Sequence, residues 1–297
     1  MRRMRVLHEF ARHGSIADAA VALYLTPSAV SQQLSVLQRE VGQELLEPVG
    51  RRIRLTEAGR TLAGHAADIL TAEERARIAL ERQRTTLTAD LEVGVLATVA
   101  ASLVPPTLSL LARRHPGITI RTREVTPEEA VVAVHDGDLD ISFILDYPDS
   151  SIPWSADLDA TVVAIEHLHL VTPAASEQFG GGPVHLNETA GLDWIASGAR
   201  TDFGRAFLAA CRRAGFEPRI RHRVDEQATA MAMVAGGLGV TLAADLGLFL
   251  LRPPGVEVHR LAQPFLRRVL LLRRHTSRPS ETAFARTAVD AALGLGL

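Results

Sequence analysis

The chain has 297 residues, 47% hydrophobic and 22% charged, an ordinary globular composition with room for two or three domains. All 32 basic residues are arginine, which excludes lysine chemistry such as Schiff bases, and the single Cys211 excludes an internal disulfide and any cysteine-paired zinc or iron–sulfur centre. No apolar signal region follows Met1 and no apolar run approaches a membrane span, so the sequence predicts a cytoplasmic protein; its net charge of −2 divides unevenly, with nine arginines against six acids over residues 1–60, four of each over 61–86, and 19 against 24 beyond.

Short helices with clear punctuation open the chain. Leu7, Phe10 and Ala11 share a helical face that Gly14 stops, and Ser15 with Asp18 three residues on has capping-box spacing. Ile16, Ala19, Ala20 and Leu23 predict a second helix, and Thr26 as cap with Pro27 in the first turn begins a third almost at once. Two short helices across a tight turn make a helix-turn-helix. In the third helix, about Pro27 to Val41, the residues Val30, Leu34, Leu37 and Val41 are predicted to pack inward, with Ser28, Ser31, Gln32 and Ser35 on an outer face that holds no charge. Solvated helix faces are usually charged, whereas uncharged donors and acceptors at a helix N-terminus suit base edges and phosphates. Gly42 ends the helix. Glu44–Glu47 and Arg51–Leu55 then read as two strands about a Pro48-Val49-Gly50 turn, a wing whose Arg51, Arg52 and Arg54 are placed for the sugar-phosphate backbone.

Thr56 is expected to cap a helix running from Glu57 to about Thr86. Its series Leu62, Ala66, Ile69, Glu73, Ala76, Leu80, Gln83, Leu87 steps by four and three, a heptad seam that a second copy could cover, so the segment reads as linker and dimerisation element. From Leu91 the period changes to strand-then-helix: Leu91–Val95, Ile118–Glu124 and Leu139–Leu145 alternate with helices at Ala101–His115 and Pro127–His135. A second run places strands at Trp194–Ala196, Ile220–Val224 and Val240–Ala243 around helices Asp202–Ala214 and Glu226–Ala235; Val269–Arg273 and a helix from about Ser280 to Leu293 close the chain. Crossings near Val162–Val171 and Arg260–Val269 give two α/β lobes with a cleft between them. One strand-to-helix loop per lobe then offers Thr98 and Ser102 on one side and Ser197, Arg200 and Thr201 on the other. Helix N-termini carry partial positive charge, so the expected effector is a small polar or anionic metabolite; helix capping for the hydroxyls and a plain surface cation for Arg200 are the alternatives.

The stretch Leu7-x-x-Phe10, His13-Gly14-Ser15-Ile16-Ala17-Asp18-Ala19-Ala20, Thr26-Pro27-Ser28-Ala29-Val30-Ser31-Gln32-Gln33-Leu34 and Leu55-Thr56-Glu57-Ala58-Gly59 closely resembles the LysR-type transcriptional regulators. The match is dense over residues 4–60 and looser beyond, at Leu91-Glu92-Val93-Gly94, His115-Pro116-Gly117-Ile118, Gly137-Asp138-Leu139-Asp140 and Ala235-Gly236-Gly237-Leu238-Gly239-Val240. The resemblance implies an α/β protein with an N-terminal all-α winged helix-turn-helix and long linker helix, followed by a two-lobed periplasmic-binding-protein-like sensor, commonly assembled as a tetramer. Three residues depart from the family pattern: Gln38 for Glu, Leu46 for Phe and Pro48 for Arg, the last removing a cation from the wing.

The expected domains are 1–58 for DNA binding, 59–88 for the linker helix and 89–297 for the sensor, with one lobe at about 89–163 and 266–297 and the other at about 164–265. The expected partners are a double-stranded operator, a second copy through the linker helix and from there a tetramer, RNA polymerase, and a small-molecule co-inducer or co-repressor; neither cofactor nor metal nor catalysis is expected. Two rivals remain at this stage, a solute-binding module with an unrelated N-terminal domain and an enzyme using the cleft. His167 with His169 could pair on a metal but lack a third ligand in sequence, Asp138 and Asp140 coincide with a family landmark, and Gly236-Gly237-x-Gly239 follows a helix and precedes a strand, the reverse of a dinucleotide loop. Cys211 reads as a buried small hydrophobe, with a redox thiol as the alternative.

Overall fold

The computed structural model describes residues 1–23, 25–49, 52–82, 87–148, 154, 157–174, 179–180, 182–250, 252–275 and 277–297. These form two compact units, Met1–Arg84 and Thr85–Leu297. In the first, α1 (Arg2–His13), α2 (Ile16–Ala22) and α3 (Pro27–Val41) precede a hairpin of β1 (Leu46–Val49) and β2 (Arg52–Leu55) and the 26-residue α4 (Glu57–Arg82). Ser15 accepts from the Asp18 N–H and Thr26 from that of Ala29, while Gly14 and Gly42 end α1 and α3 in the left-handed conformation that glycine adopts without strain. Leu7, Phe10, Ala19, Ala20, Val30, Leu34 and Leu37 make the core, each large side chain contributing about 1.5–3 kcal/mol by leaving water. Val41 is exposed, contrary to expectation.

Thr56 caps α4 as expected, accepting from the Gly59 N–H at 3.0 Å. A Cβ on Gly59 would fall 2.1 Å from the Leu45 carbonyl oxygen, so only glycine lets the first turn of α4 lie against β1. The predicted seam divides. Leu62 packs with Ala63 into this unit's own core and Ala66 is fully buried, whereas Ile69 and Leu80 are exposed.

The second unit is built on a sheet ordered β4-β3-β5-β11-β6, with β3 (Ala89–Val95) and β4 (Ile118–Glu124) parallel and β11 (Leu266–Arg274) antiparallel to both β5 (Ile141–Asp146) and β6 (Leu158–Pro173). Where one helix was expected at 101–115 there are two, α5 (Ala97–Ser102) and α6 (Val104–Arg114). Pro105 and Pro106 are tolerated only in a first turn, so a new helix begins just before them. These helices and α11 (Pro279–Gly294) pack on one face of the sheet around Phe143 and Phe284, and α7 (Pro127–Asp136) covers the other.

β6 is 16 residues long and changes partners midway. Leu158–His167 lie against β11, whereas Leu168–Pro173 lie between β9 (Thr241–Ala244) and β10 (Val256–His259). The second lobe continues through a Trp194–Val240 bridge to the parallel pair β7 (Asp193–Ala196) and β8 (Arg219–Arg223). Its helices are α8 (Asp202–Arg213), α9 (Gln227–Ala235) and the short α10 (Asp245–Leu250). At the change of partner Glu166 is fully buried, accepts from Arg267 Nε at 2.7 Å and caps the Leu246 N–H at 2.8 Å.

Candidate nucleic-acid interface and effector crevice

The outward face of α3 carries Thr26, Pro27, Ser28, Ser31, Gln32 and Ser35, all exposed. Three of its hydroxyls have local tasks. Thr26 Oγ1 accepts from Ala29 and lies 3.0 Å from Ser28 Oγ, and Ser35 Oγ donates to the Ser31 carbonyl at 2.9 Å. Ser31 and Gln32 keep their side-chain donors and acceptors uncommitted among the described residues, at the end of the helix where a base edge can be reached. Gln38 accepts from the Leu45 and Leu46 N–H groups at 2.9 and 2.8 Å. A neutral amide oxygen therefore ties α3 to the hairpin where the family usually has a glutamate.

The hairpin register differs from expectation. Val49 pairs with Arg52 and Pro48 with Ile53, so Pro48 and Val49 belong to β1 rather than to the turn. Proline is tolerated there because a two-stranded hairpin has only edge strands. Arg54 is exposed on β2; Arg51 and the side chain of Arg52 lie outside the described residues.

In the second unit three of the five residues expected to face an effector, Ser102, Ser197 and Thr201, hold side-chain hydrogen bonds to the protein itself. Ser102 is buried and donates to the Thr98 carbonyl at 2.6 Å, a bond internal to α5, on whose first turn Thr98 is half-buried. Ser197 is buried against the Val224 carbonyl at 3.3 Å, and Thr201 caps α8, accepting from Gly204 and donating to Gly198, each at 3.0 Å. Arg200 is exposed on the surface. Of the hydroxyls only Thr201 caps a helix, a task compatible with facing an effector as well.

A narrow crevice of about 20 Å³, about the room one water needs, lies between the C-terminal end of β5, the start of α7 and the start of α8, lined by Ile144, Asp146, Tyr147, Val131, Trp154 and Asp202 among others. Ligands of open α/β sheets bind beyond the carboxyl ends of strands, a rule that could have pointed to Asp146-Tyr147 from sequence. Tyr147 packs against Phe203, tilted at 5.9 Å, and Phe265, edge-on at 6.4 Å, and burial pushes its phenol pKa up. Asp146 and Asp202 are 4% and 5% exposed. One oxygen of each meets an arginine: Asp146 Oδ2 accepts from Arg268 Nε at 2.7 Å, and Asp202 Oδ1 pairs with Arg205. The other oxygens, Asp146 Oδ1 and Asp202 Oδ2, are buried with no hydrogen-bond partner. Leaving such an acceptor unmet costs about 1–3 kcal/mol.

The remaining candidates resolve into structural roles. Asp140 accepts from the Glu92 N–H at 2.8 Å and pairs with Arg278, which makes it a tie between strands. His167 and His169 both meet Asp245 at the start of α10, through the His167 N–H and His169 Nε2, each at 2.7 Å; no three metal-binding side chains cluster among the described residues. Gly237 and Gly239 form the turn between α9 and β9. Cys211 is fully buried beside Trp194 and Phe207, and burial pushes its thiol up to about 12, the reverse of what a reactive thiolate needs. No described helix is long and apolar enough to cross a membrane.

A winged helix-turn-helix with an uncharged reading face, in one chain with a two-lobed α/β domain holding a crevice, defines a ligand-responsive DNA-binding regulator. A family model described as bacterial regulatory helix-turn-helix protein, lysR family, matches residues 1–60, and one described as LysR substrate binding domain matches 84–292. The chain belongs to the LysR family of bacterial transcriptional regulators, a family of DNA-binding proteins rather than enzymes. It is 29% identical over 241 residues to a probable hydrogen peroxide-inducible genes activator of Mycobacterium avium, covering 80% of this chain and 76% of that one. Its fold is similar to that of full-length OxyR from Pseudomonas aeruginosa (TM-score 0.67, 22% identity, 98% and 96% of the two chains). It is also similar to CbnR complexed with its target DNA (TM-score 0.58, 21% identity, 98% and 99%).

Proposed function

We propose that Ser31 and Gln32 read base edges in the major groove, that the Thr26–Ser28 turn and the hairpin arginines, Arg54 among them, hold phosphates, and that a small co-inducer or co-repressor bound between the two lobes biases this contact. The observation that carries the reading is the N-terminal part of the outer face of α3, where Ser28, Ser31, Gln32 and Ser35 are exposed and uncharged, Ser31 and Gln32 are uncommitted among the described residues, and Arg39 is the first charge beyond them. Ile69 and Leu80, exposed on α4, are apolar surface that a second copy would cover, giving a dimer that reads a two-fold operator and pairs again as a tetramer. RNA polymerase is the partner on which the DNA-bound assembly acts. Effector and operator each favour one arrangement of that assembly, so their affinities are reciprocally coupled.

The test is operator titration over a salt series. Gln32→Ala is expected to cost about 1–3 kcal/mol and relax preference at one base position, whereas Arg54→Ala weakens all sequences alike and lowers the salt slope by about 1. Equal, sequence-independent losses for both variants would overturn the division of roles. The peroxide response of the M. avium relative is not proposed for this chain, whose one thiol is buried and held protonated.

A further inference from the structure

We infer that the hollow beside the point where β6 changes partners is a binding site for a compact uncharged molecule, an apolar body with a single hydrogen-bonding group. The inference goes beyond the proposed function, since none of the five residues expected to face an effector lines this hollow. Its volume is about 340 Å³, within the range of small-molecule pockets and far above the one-water room of the crevice. Three stretches build it: Ile165 and His167 of β6, Asp245, Leu246 and Phe249 of α10, and residues 295–297 after α11. Apolar groups scattered singly over a surface are ordinary. Here Ile165 and Phe249 stay 52% and 66% exposed around one concave site, whose remaining apolar lining rests on the core of the first lobe. A molecule seated there removes that surface from water, which is the main source of affinity in such a pocket. A second copy would need a face of roughly 800 Å² on each partner, whereas these exposed groups converge on one hollow.

The polar groups set the charge of the occupant. Asp245 Oδ1 meets His169 Nε2 and Oδ2 accepts from the His167 N–H, each at 2.7 Å. The carboxylate opposes an anion, and no buried acceptor in the lining is left unmet to favour a cation. The His167 ring is half-exposed and makes no hydrogen bond among the described residues, so it is left for one polar group of the ligand. Another hollow, of about 310 Å³ beside Arg213, has its apolar floor of Leu186, Ala210 and Phe265 buried already, and covering it gains less.

The experiment is fluorescence titration of the full chain with N-phenyl-naphthylamine, an uncharged flat body with one N–H, and with anilinonaphthalene sulfonate, the same body bearing an anion. The uncharged dye is expected to saturate and to bind at least tenfold tighter than the sulfonate. Phe249→Ser and Ile165→Ser should each weaken it at least fivefold with unchanged circular-dichroism melts, because both side chains are exposed, whereas Val21→Ser, which removes an exposed apolar group of the first unit, should leave it as it was. Sulfonate binding as tight as that of the uncharged dye would overturn the ligand class. Binding that survives both substitutions would place the dye elsewhere and overturn the site. Absence of saturable binding would overturn it too, and a sedimentation mass that then falls in Phe249→Ser would give the face to a second copy instead. None of these outcomes bears on the operator reading, which Gln32→Ala and Arg54→Ala test.

Discussion

Helices α3 and α8 both begin at a threonine whose hydroxyl accepts from the N–H three residues on, Thr26 from Ala29 and Thr201 from Gly204. Beyond the cap they diverge. The first turn of α3 holds exposed Pro27 and Ser28, and the exposed Ser31 and Gln32 follow on the same face; the first turn of α8 holds Asp202, buried and paired with Arg205. Capping is local chemistry and reads the same in both places, whereas what the helix start can meet is decided by what packs over it. An open, neutral start suits a large polyanion that brings its own counterions and water. A closed start, its acid already paired with Arg205, gives such a polyanion no approach.

If the polar interior of the second unit is a fixed frame around that closed start, removing one of its charges should produce the largest loss. Arg267→Ala strands the fully buried Glu166 and is expected to destabilise the protein by about 3–5 kcal/mol in urea denaturation, whereas Gln32→Ala on the open face stays within about 0.5 kcal/mol. A loss below about 1 kcal/mol for Arg267→Ala would mean that the frame is solvated. The two caps sharpen the contrast: Thr26→Ala and Thr201→Ala should each cost about 1 kcal/mol of stability, but only the former should also weaken effector-free operator binding. Equal operator losses would show that α8 feeds directly into DNA contact.

A further expected effect is a slope with pH. Burial raises the pKa of Glu281 to about 7 from an ordinary 4.5, against the opposing pull of Arg278 and Arg274. Folding therefore favours its protonated form, so this group's contribution is complete below about pH 4.5 and is lost as pH rises through about 7. The stability difference between wild type and Glu281→Gln should shift against wild type over that window. A pH-independent difference would mean that Arg278 keeps the carboxylate ionised throughout.

Much of the first unit was legible because its signals are short-range: caps at Ser15, Thr26 and Thr56, stops at Gly14 and Gly42, and a 3–4 apolar spacing. The hairpin slipped because a loop of two residues or three is set by cross-strand pairing, and nothing local fixes whether Pro48 turns or pairs. Leu62 and Ala66 have the spacing of an intermolecular seam, yet Leu62 packs in its own core and Ala66 is buried within the chain. In the second unit the strand-and-helix alternation was readable, but the six-residue α10 and four-residue β10 are too short to show a period. The crevice escaped for a different reason. Asp146 and Asp202 are 56 positions apart, and only the packing of β5 near α8 brings both to one opening.

The long strand β6 also bears on how this protein can be recombined. Because its first half is laced to β11 and its second to β9 and β10, exchanging one lobe with a relative would cut this strand in the middle and require the incoming half to meet β11 in register. Exchanging residues 1–84 cuts between compact units and disturbs none of them. New operators can therefore be acquired by shuffling whole segments, while new ligands have to be acquired by point substitution within the second unit.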